Sequence, residues 1–183
     1  MVKLTPPMGW NSWNTFGENI NEKLIMETAD AMAASGLVEK GYEYLVIDDC
    51  WSLKERDGEG RLVADPEKVP NGMKAVADYV HGKGLKFGMY SCAGTLTCAG
   101  YPGSFEHEFV DAETFARWGV DFLKYDYCYH SPIIHGKYLY RRMGLALENC
   151  GRDILFSACS WGADETHEWI KETGASMWRS TGD

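Results

Sequence analysis

Acidic side chains at the ends of apolar runs are the first sign of chemistry in this sequence. Asp126 follows Val120-Asp121-Phe122-Leu123-Lys124-Tyr125, with Lys124 two positions before it. On an extended strand, residues two apart point to the same side, so this cation and this carboxylate share a face. A positive charge there keeps an acid ionised, as an attacking carboxylate requires. The same spacing describes a structural Lys–Asp ion pair, and spacing alone leaves the two readings even. Asp183 closes Trp178-Arg179-Ser180-Thr181-Gly182-Asp183 and is the candidate proton donor, though it equally fits a solvated terminal acid. Two carboxyl groups about 5–5.5 Å apart across a glycosidic bond cleave it with retention. One attacks the anomeric carbon and the other protonates the leaving oxygen. Asp48 and Asp49 come directly after Tyr44-Leu45-Val46-Ile47, an unusual way to end a buried strand. They suit hydrogen bonds to sugar hydroxyls, a metal, or a helix cap.

These residues need elements to hold them, and the chain supplies a regular alternation. Asn21 is a plausible N-cap for the periodic run Leu24, Ile25, Thr28, Ala29, Met32 and Ala33, which Gly36 stops. Strands are predicted at Tyr44–Ile47, Leu85–Tyr90, Val120–Tyr125 and Ile154–Ser157, with another beginning at Ser176–Arg179. Helices are predicted at Met73–His81, Ala112–Trp118, Lys137–Asn149 and Glu165–Glu172, and a hairpin turn at Arg56–Gly60. Strand–helix repetition without long gaps implies a parallel sheet covered by helices.

The polar residues choose between the two architectures of that kind. Trp13, Asp48, Asp49, Tyr90, Asp126, Ser160 and Asp183 fall after successive strands. A site assembled from many strand ends is the habit of the (β/α)8 TIM barrel. A doubly wound sheet gathers its site at one switch point, often beside a Gly-rich phosphate loop, and no G-x-G-x-x-G follows the first strand. The fold class expected is α/β, a partial TIM barrel of about five to six of its eight β/α units.

Composition removes several partners. The net charge is −9, with no Lys/Arg cluster to meet a phosphate backbone, so nucleic acid is not expected. No apolar run approaches the ~18 residues that span a bilayer. The opening Met1-Val2-Lys3-Leu4-Thr5-Pro6-Pro7 has no apolar core of leader length, so the residues predict a cytoplasmic location. Aromatics reach 13%, which suits both a large core and ring-on-sugar stacking. None of the cysteines forms a C-x-x-C pair and no His stands at zinc-finger spacing, so no structural metal is expected and buried thiols are the default.

Five segments together carry a family resemblance: Met8-Gly9-Trp10-Asn11-Ser12-Trp13, Ile47-Asp48-Asp49-Cys50-Trp51, Thr97-Cys98-Ala99-Gly100-Tyr101-Pro102-Gly103-Ser104, Leu123-Lys124-Tyr125-Asp126 and Trp178-Arg179-Ser180-Thr181-Gly182-Asp183. They resemble, in order and from end to end, glycoside hydrolase family 27, the α-galactosidases and α-N-acetylgalactosaminidases. The resemblance implies a retaining hydrolase of terminal α-D-galactosides, with a galactoside or oligosaccharide substrate and no metal or organic cofactor. It makes Asp126 the nucleophile and Asp183 the acid/base. It gives Asp48 and Asp49 the galactose 4- and 6-hydroxyls, and Trp13, Tyr90, Lys124 and Arg179 the rest of the sugar pocket. It also implies a disulfide between Cys98 and Cys128 and leaves Cys50 a free thiol. After the fifth strand, Ser160 and Ala163 resemble the N-acetylgalactosaminidase arrangement, in which small side chains leave room for a 2-acetamido group. Galactose is the sugar expected, and N-acetylgalactosamine is the alternative.

The resemblance further implies that residues 1–183 are an incomplete barrel domain, without the C-terminal β/α units and the β domain of the family. Open strand edges would then seek a homo-oligomer or a complementing chain, and the isolated chain would be weakly active or inactive. The competing expectation is a non-catalytic half-barrel that assembles or binds sugar.

Overall fold

The computed structural model describes residues 5–182, so Asp183 lies outside the described residues. Six parallel strands form one sheet in the order of the sequence: β1 (Met8–Asn11), β2 (Tyr42–Val46), β3 (Lys86–Cys92), β4 (Phe122–Asp126), β5 (Leu155–Cys159) and β6 (Met177–Trp178). A doubly wound sheet would reverse its order at a switch point; this one never does, and it curls as a half-barrel. The helices between the strands are α1 (Trp13–Phe16), α2 (Glu22–Ala34), α3 (Met73–Gly82), α4 (Glu108–Trp118), α5 (Gly136–Asn149) and α6 (Thr166–Trp169).

Local chemistry explains these boundaries. The Asn21 side chain accepts from Leu24 N at 2.9 Å and starts α2, whose Ile25, Ala29 and Met32 are buried at helical spacing. Gly119, at φ 86°, ends α4 in a left-handed turn that a side chain would strain. The expected helix over 165–172 is instead broken into α6 between two 3-10 turns. Tertiary contacts override its periodicity. Asp164, at φ 53°, accepts from Tyr127 Oη at 2.5 Å and Gly136 N at 2.9 Å, while Trp169 Nε1 donates to the Asp164 carbonyl.

Period two sorts each strand. One face, including Leu45, Phe87, Met89, Leu123, Tyr125 and Phe156, is buried in the main core with the helices. The opposite face points into the curl. There Tyr44, Val46 and Phe122 form a small second cluster with Leu155 and Met177. A Cβ on Gly88 would lie 2.7 Å from Val46 Cγ2, so this lower layer is filled up to the backbone. Farther along the same face come Tyr90, Lys124, Asp126 and Cys159, with Tyr90 paired to Lys124 and Asp126 to Cys159 across the ladder. The apolar layer thus floors a polar one at the carboxyl ends of the strands.

Candidate active site

Asp126 ends β4 and is almost fully buried. Its Oδ1 accepts from the Tyr127 backbone N at 2.9 Å and its Oδ2 from Tyr90 Oη at 3.2 Å. Cys159 is its ladder partner, a free thiol whose pKa is raised to about 11, chiefly by burial. Burial pushes the carboxyl above its ordinary pKa, while Lys124 and the two donors pull it back. An ionised carboxylate has about four lone-pair positions. Tyr127 N and Tyr90 Oη take two of them, leaving roughly two directed elsewhere.

Asp48 and Asp49 form the second part of the site. Asp48 Oδ2 accepts from Lys124 Nζ at 2.8 Å and from Asn11 Nδ2 at 2.7 Å, and its Oδ1 from Asp49 N at 3.0 Å. Ser12 Oγ accepts from the Asp48 backbone N at 3.0 Å, tying β1 to the same corner. Asp49 accepts from Cys50 N at 2.7 Å and from Ala99 N at 2.9 Å, and burial raises its pKa against those bonds. Cys50, at φ 70°, holds a left-handed conformation that costs a side-chain-bearing residue on the order of 1–3 kcal/mol. That turn lets its N–H fold back onto Asp49. Cys50 itself is a buried free thiol, pushed up to about 11, chiefly by burial.

Lys124 opposes the burial of its own charge through Asp48, and its pKa is raised despite desolvation. Its Nζ also stands 5.1 Å from the Tyr90 ring centroid, within cation–π range. Tyr90 is fixed at its backbone, where the carbonyl accepts from Trp51 Nε1 at 2.9 Å, and burial raises its pKa so that the phenol stays a donor. Trp13 opens α1 beside Asn11, whose Oδ1 accepts from Trp13 N at 2.9 Å, and the residue is 40% exposed. Cys98 and Cys128 are joined in a disulfide that ties the loop after β3 to the loop after β4.

Two more candidates follow β5 and β6. Arg179 follows β6; its N donates to the Ala158 carbonyl at 2.9 Å and its Nη2 to the Gly182 carbonyl at 2.7 Å. Ser160 does not join the cluster. It is fully buried, and its Oγ lies 2.6 Å from Thr166 Oγ1. Trp161 and Gly162, at φ 58° and 83°, turn the chain at the strand end, so the period-two face stops at Cys159. Asp183 lies outside the described residues. Two participants that sequence reasoning passed over are Asn11 and Cys159. Each is the last residue of its strand, the same signal that marked Asp126.

The donor set speaks to metals. Among the described residues, the three-ligand group able to meet one ion is Cys98, Asp126 and Cys128, whose ligand atoms lie within 4.8 Å of one another. Its two sulfurs are already bonded to each other. Among the described residues, Asp48 and Asp49 find no third His, Cys or acid in such a group. A cleft of about 860 Å³ at the opposite end of the strands is lined by Tyr44, Lys86, Asp121 and Leu155, among others, and by none of the candidates.

Carboxylates held by N–H and O–H donors, each with acceptor capacity to spare and a lysine between them, suit a polyhydroxylated ligand and attack on its electrophilic carbon. A family model described as alpha galactosidase A matches residues 5–174. An alpha-galactosidase of Coffea arabica is 56% identical over 181 residues, covering 98% of this chain and 47% of that protein. The crystal structure of alpha-galactosidase I from Mortierella vinacea superposes with a TM-score of 0.95 at 46% identity, over 98% of this chain and 46% of that one. An alpha-galactosidase from Saccharomyces cerevisiae, solved with raffinose, gives 0.94 at 47% identity, over 98% and 40%. This chain therefore spans less than half the length of each of these relatives.

Proposed function

We propose that this chain, which belongs to the alpha galactosidase A family, carries the nucleophilic side of a retaining hydrolase of terminal α-D-galactosides. The observation that carries the proposal is the Asp126 carboxylate, oriented by Tyr90 Oη and Tyr127 N beside the Lys124–Asp48 pair. A nucleophile held by fixed donors needs little reorganisation to attack.

In the first displacement, an Asp126 oxygen bonds to the anomeric carbon as the bond from that carbon to the leaving oxygen breaks. Asp183, in its carboxylic acid form, gives its proton to that oxygen. In the second, Asp183 as carboxylate takes a proton from water, whose oxygen displaces Asp126 and releases the sugar with its configuration retained. The Asp183 role rests on the resemblance of the motif that ends there. Asp48 and Asp49 accept from sugar hydroxyls, Lys124 donates to them, and Trp13 packs on the sugar's C–H face. An axial 4-hydroxyl directed at the two aspartates separates galactose from glucose. The raffinose held by the yeast relative supports an oligosaccharide substrate here.

α-N-Acetylgalactosaminides are the second reading, since the position after β5 carries the small Ser160, buried rather than projecting. The proposal includes weak turnover by the isolated chain and association with a second copy or a complementing chain. β1 and β6 each have a single strand neighbour among the described residues, and an open edge invites another strand. Incubation with aryl α-galactoside and aryl α-N-acetylgalactosaminide tests the reading, with Asp126→Asn as control. An activated fluorinated galactoside should leave a hexosyl adduct on the peptide holding Asp126. Turnover that survives Asp126→Asn, or an adduct elsewhere, would sink the proposal.

A further inference from the structure

We propose that reducing the Cys98–Cys128 disulfide creates a binding site for a thiophilic divalent cation, Zn²⁺ or Cd²⁺, made by the two cysteine sulfurs and the Asp126 carboxylate. The three ligand atoms already lie within 4.8 Å of one another. Tetrahedral zinc, with bonds of about 2.3 Å to sulfur and 2.0–2.2 Å to oxygen, spaces its ligands roughly 3.5–3.8 Å apart. The donors therefore converge after shifts of about an ångström, which side-chain rotation supplies once the sulfurs are free. While bonded to each other they carry no thiolate charge, and thiolate is the form that binds metal. The site therefore exists only in the reduced protein.

Its surroundings suit a metal. Cys98 is exposed and Cys128 half-buried, which gives the ion an entry path, and a water completes the fourth position. Tyr90 Oη and Tyr127 N orient the carboxylate ligand from behind, as outer groups do in metal centres. Two thiolates and a carboxylate leave a net charge of about −1 around a divalent ion. Cys92, whose thiol donates to the Cys128 carbonyl at 3.1 Å, and Cys159, paired with Asp126 across the ladder, border the site as free thiols.

The chemistry balances with a trialkylphosphine. The phosphine takes the oxygen of one water, becoming phosphine oxide, and the disulfide takes two electrons and two protons, becoming two thiols. Binding the cation then releases both thiol protons. Metal and substrate compete for Asp126, so the ion blocks hydrolysis and a chelator restores it. That consequence rests on Asp126 being the nucleophile; the site itself does not.

The test titrates Cd²⁺ alone into the full chain after phosphine treatment and desalting, following the ultraviolet thiolate-to-cadmium charge-transfer band. The expected result is one tightly bound ion per reduced chain and none in the untreated chain, whose other thiols serve as the background. Cys98→Ser and Cys128→Ser should each weaken binding at least about 100-fold, and Asp126→Asn by about 10-fold, within the range seen when a metal centre loses one supporting group. Cys150→Ser, at the end of α5, should leave Cd²⁺ binding unchanged. Equal binding before reduction, tight binding that survives Cys98→Ser, or a reduced chain that loses its circular dichroism would each overturn the site. Tight Cd²⁺ binding that Asp126→Asn weakens, yet without inhibition, would leave the site standing and remove Asp126 as nucleophile, while binding indifferent to Asp126→Asn would overturn the site as proposed.

Discussion

Lys124 Nζ donates to Asp48 Oδ2 at 2.8 Å, joining the middle of β4 to the segment just after β2, across β3. Its near neighbour on the strand, Asp126, receives its donors from Tyr90 and Tyr127 instead. The lysine therefore acts on Asp126 through space and on Asp48 through a bond. It links the acid that would attack to the acids that would hold the sugar.

That link has an energetic signature. Removing one partner of a largely buried, hydrogen-bonded pair strands the other, at a cost of about 1–3 kcal/mol. Asp48→Ala should destabilise the chain by that amount, because Lys124 loses its acceptor while only a quarter of its side chain is exposed. Asp48→Ala combined with Lys124→Met should cost less than the sum of the two single changes by about 1 kcal/mol. Urea unfolding measures both; strict additivity would mean the pair contributes no coupling.

The pH dependence follows from the direction of the Asp126 shift. Burial raises its pKa, and Lys124, Tyr127 N and Tyr90 Oη lower it in part. Attack needs the ionised form, so kcat/KM should fall on the acid side at a pH above the ordinary carboxylate value. Lys124→Met removes the largest lowering influence, so the acid limb should move further up, alongside a loss of activity on the order of 10²-fold. Tyr90→Phe should move it the same way and less far. An acid limb that stays in place in Lys124→Met would contradict the through-space coupling.

The same shift has a stability consequence of the opposite kind. A carboxyl whose folded pKa lies above its unfolded one favours folding only while protonated. Its contribution is present below the unfolded value and is lost as pH rises through the folded one. At neutral pH, ionised Asp126 is therefore a cost. Asp126→Asn should abolish turnover yet raise stability by on the order of 1 kcal/mol, the usual yield of a single relieving substitution. At pH 3 the gain should shrink, because both the variant and the parent then present a neutral group. A variant less stable than the parent at pH 7 would refute this.

Much of this was legible in the sequence because strands obey a strict period. Lys124 and Asp126 share a face, and Asp48 and Asp49 follow a strand, for reasons visible in spacing alone. The ordered succession of strand-end polar residues distinguished a barrel from a doubly wound sheet, and the uninterrupted strand order agrees. The partner of Lys124 was not legible. Spacing put Lys124 beside Asp126, whereas the curl of the sheet brought in Asp48, distant in sequence, at bonding distance. Period two also gives no warning of where a strand stops. The 165–172 helix failed similarly, since the bonds pinning Asp164 come from Tyr127 and Gly136.

Ser160 is where that limit has a measurable outcome. A residue lining the sugar's 2-position should, when changed, alter the preference between galactosides and N-acetylgalactosaminides. Ser160 is fully buried, and its hydroxyl is paired with Thr166 Oγ1, which itself donates to the Ala163 carbonyl at 2.6 Å. With the Thr166 proton committed, Ser160 must be the donor of the pair. Ser160→Ala should then cost about 1 kcal/mol of stability through that lost bond. The ratio of kcat/KM for the two aryl glycosides should stay within about two-fold, since no transition-state contact is removed. Thermal unfolding and paired substrate assays read the two effects separately. A changed ratio at unchanged stability would put the Ser160 hydroxyl at the sugar after all, and would require the turn at Trp161 and Gly162 to open when substrate binds.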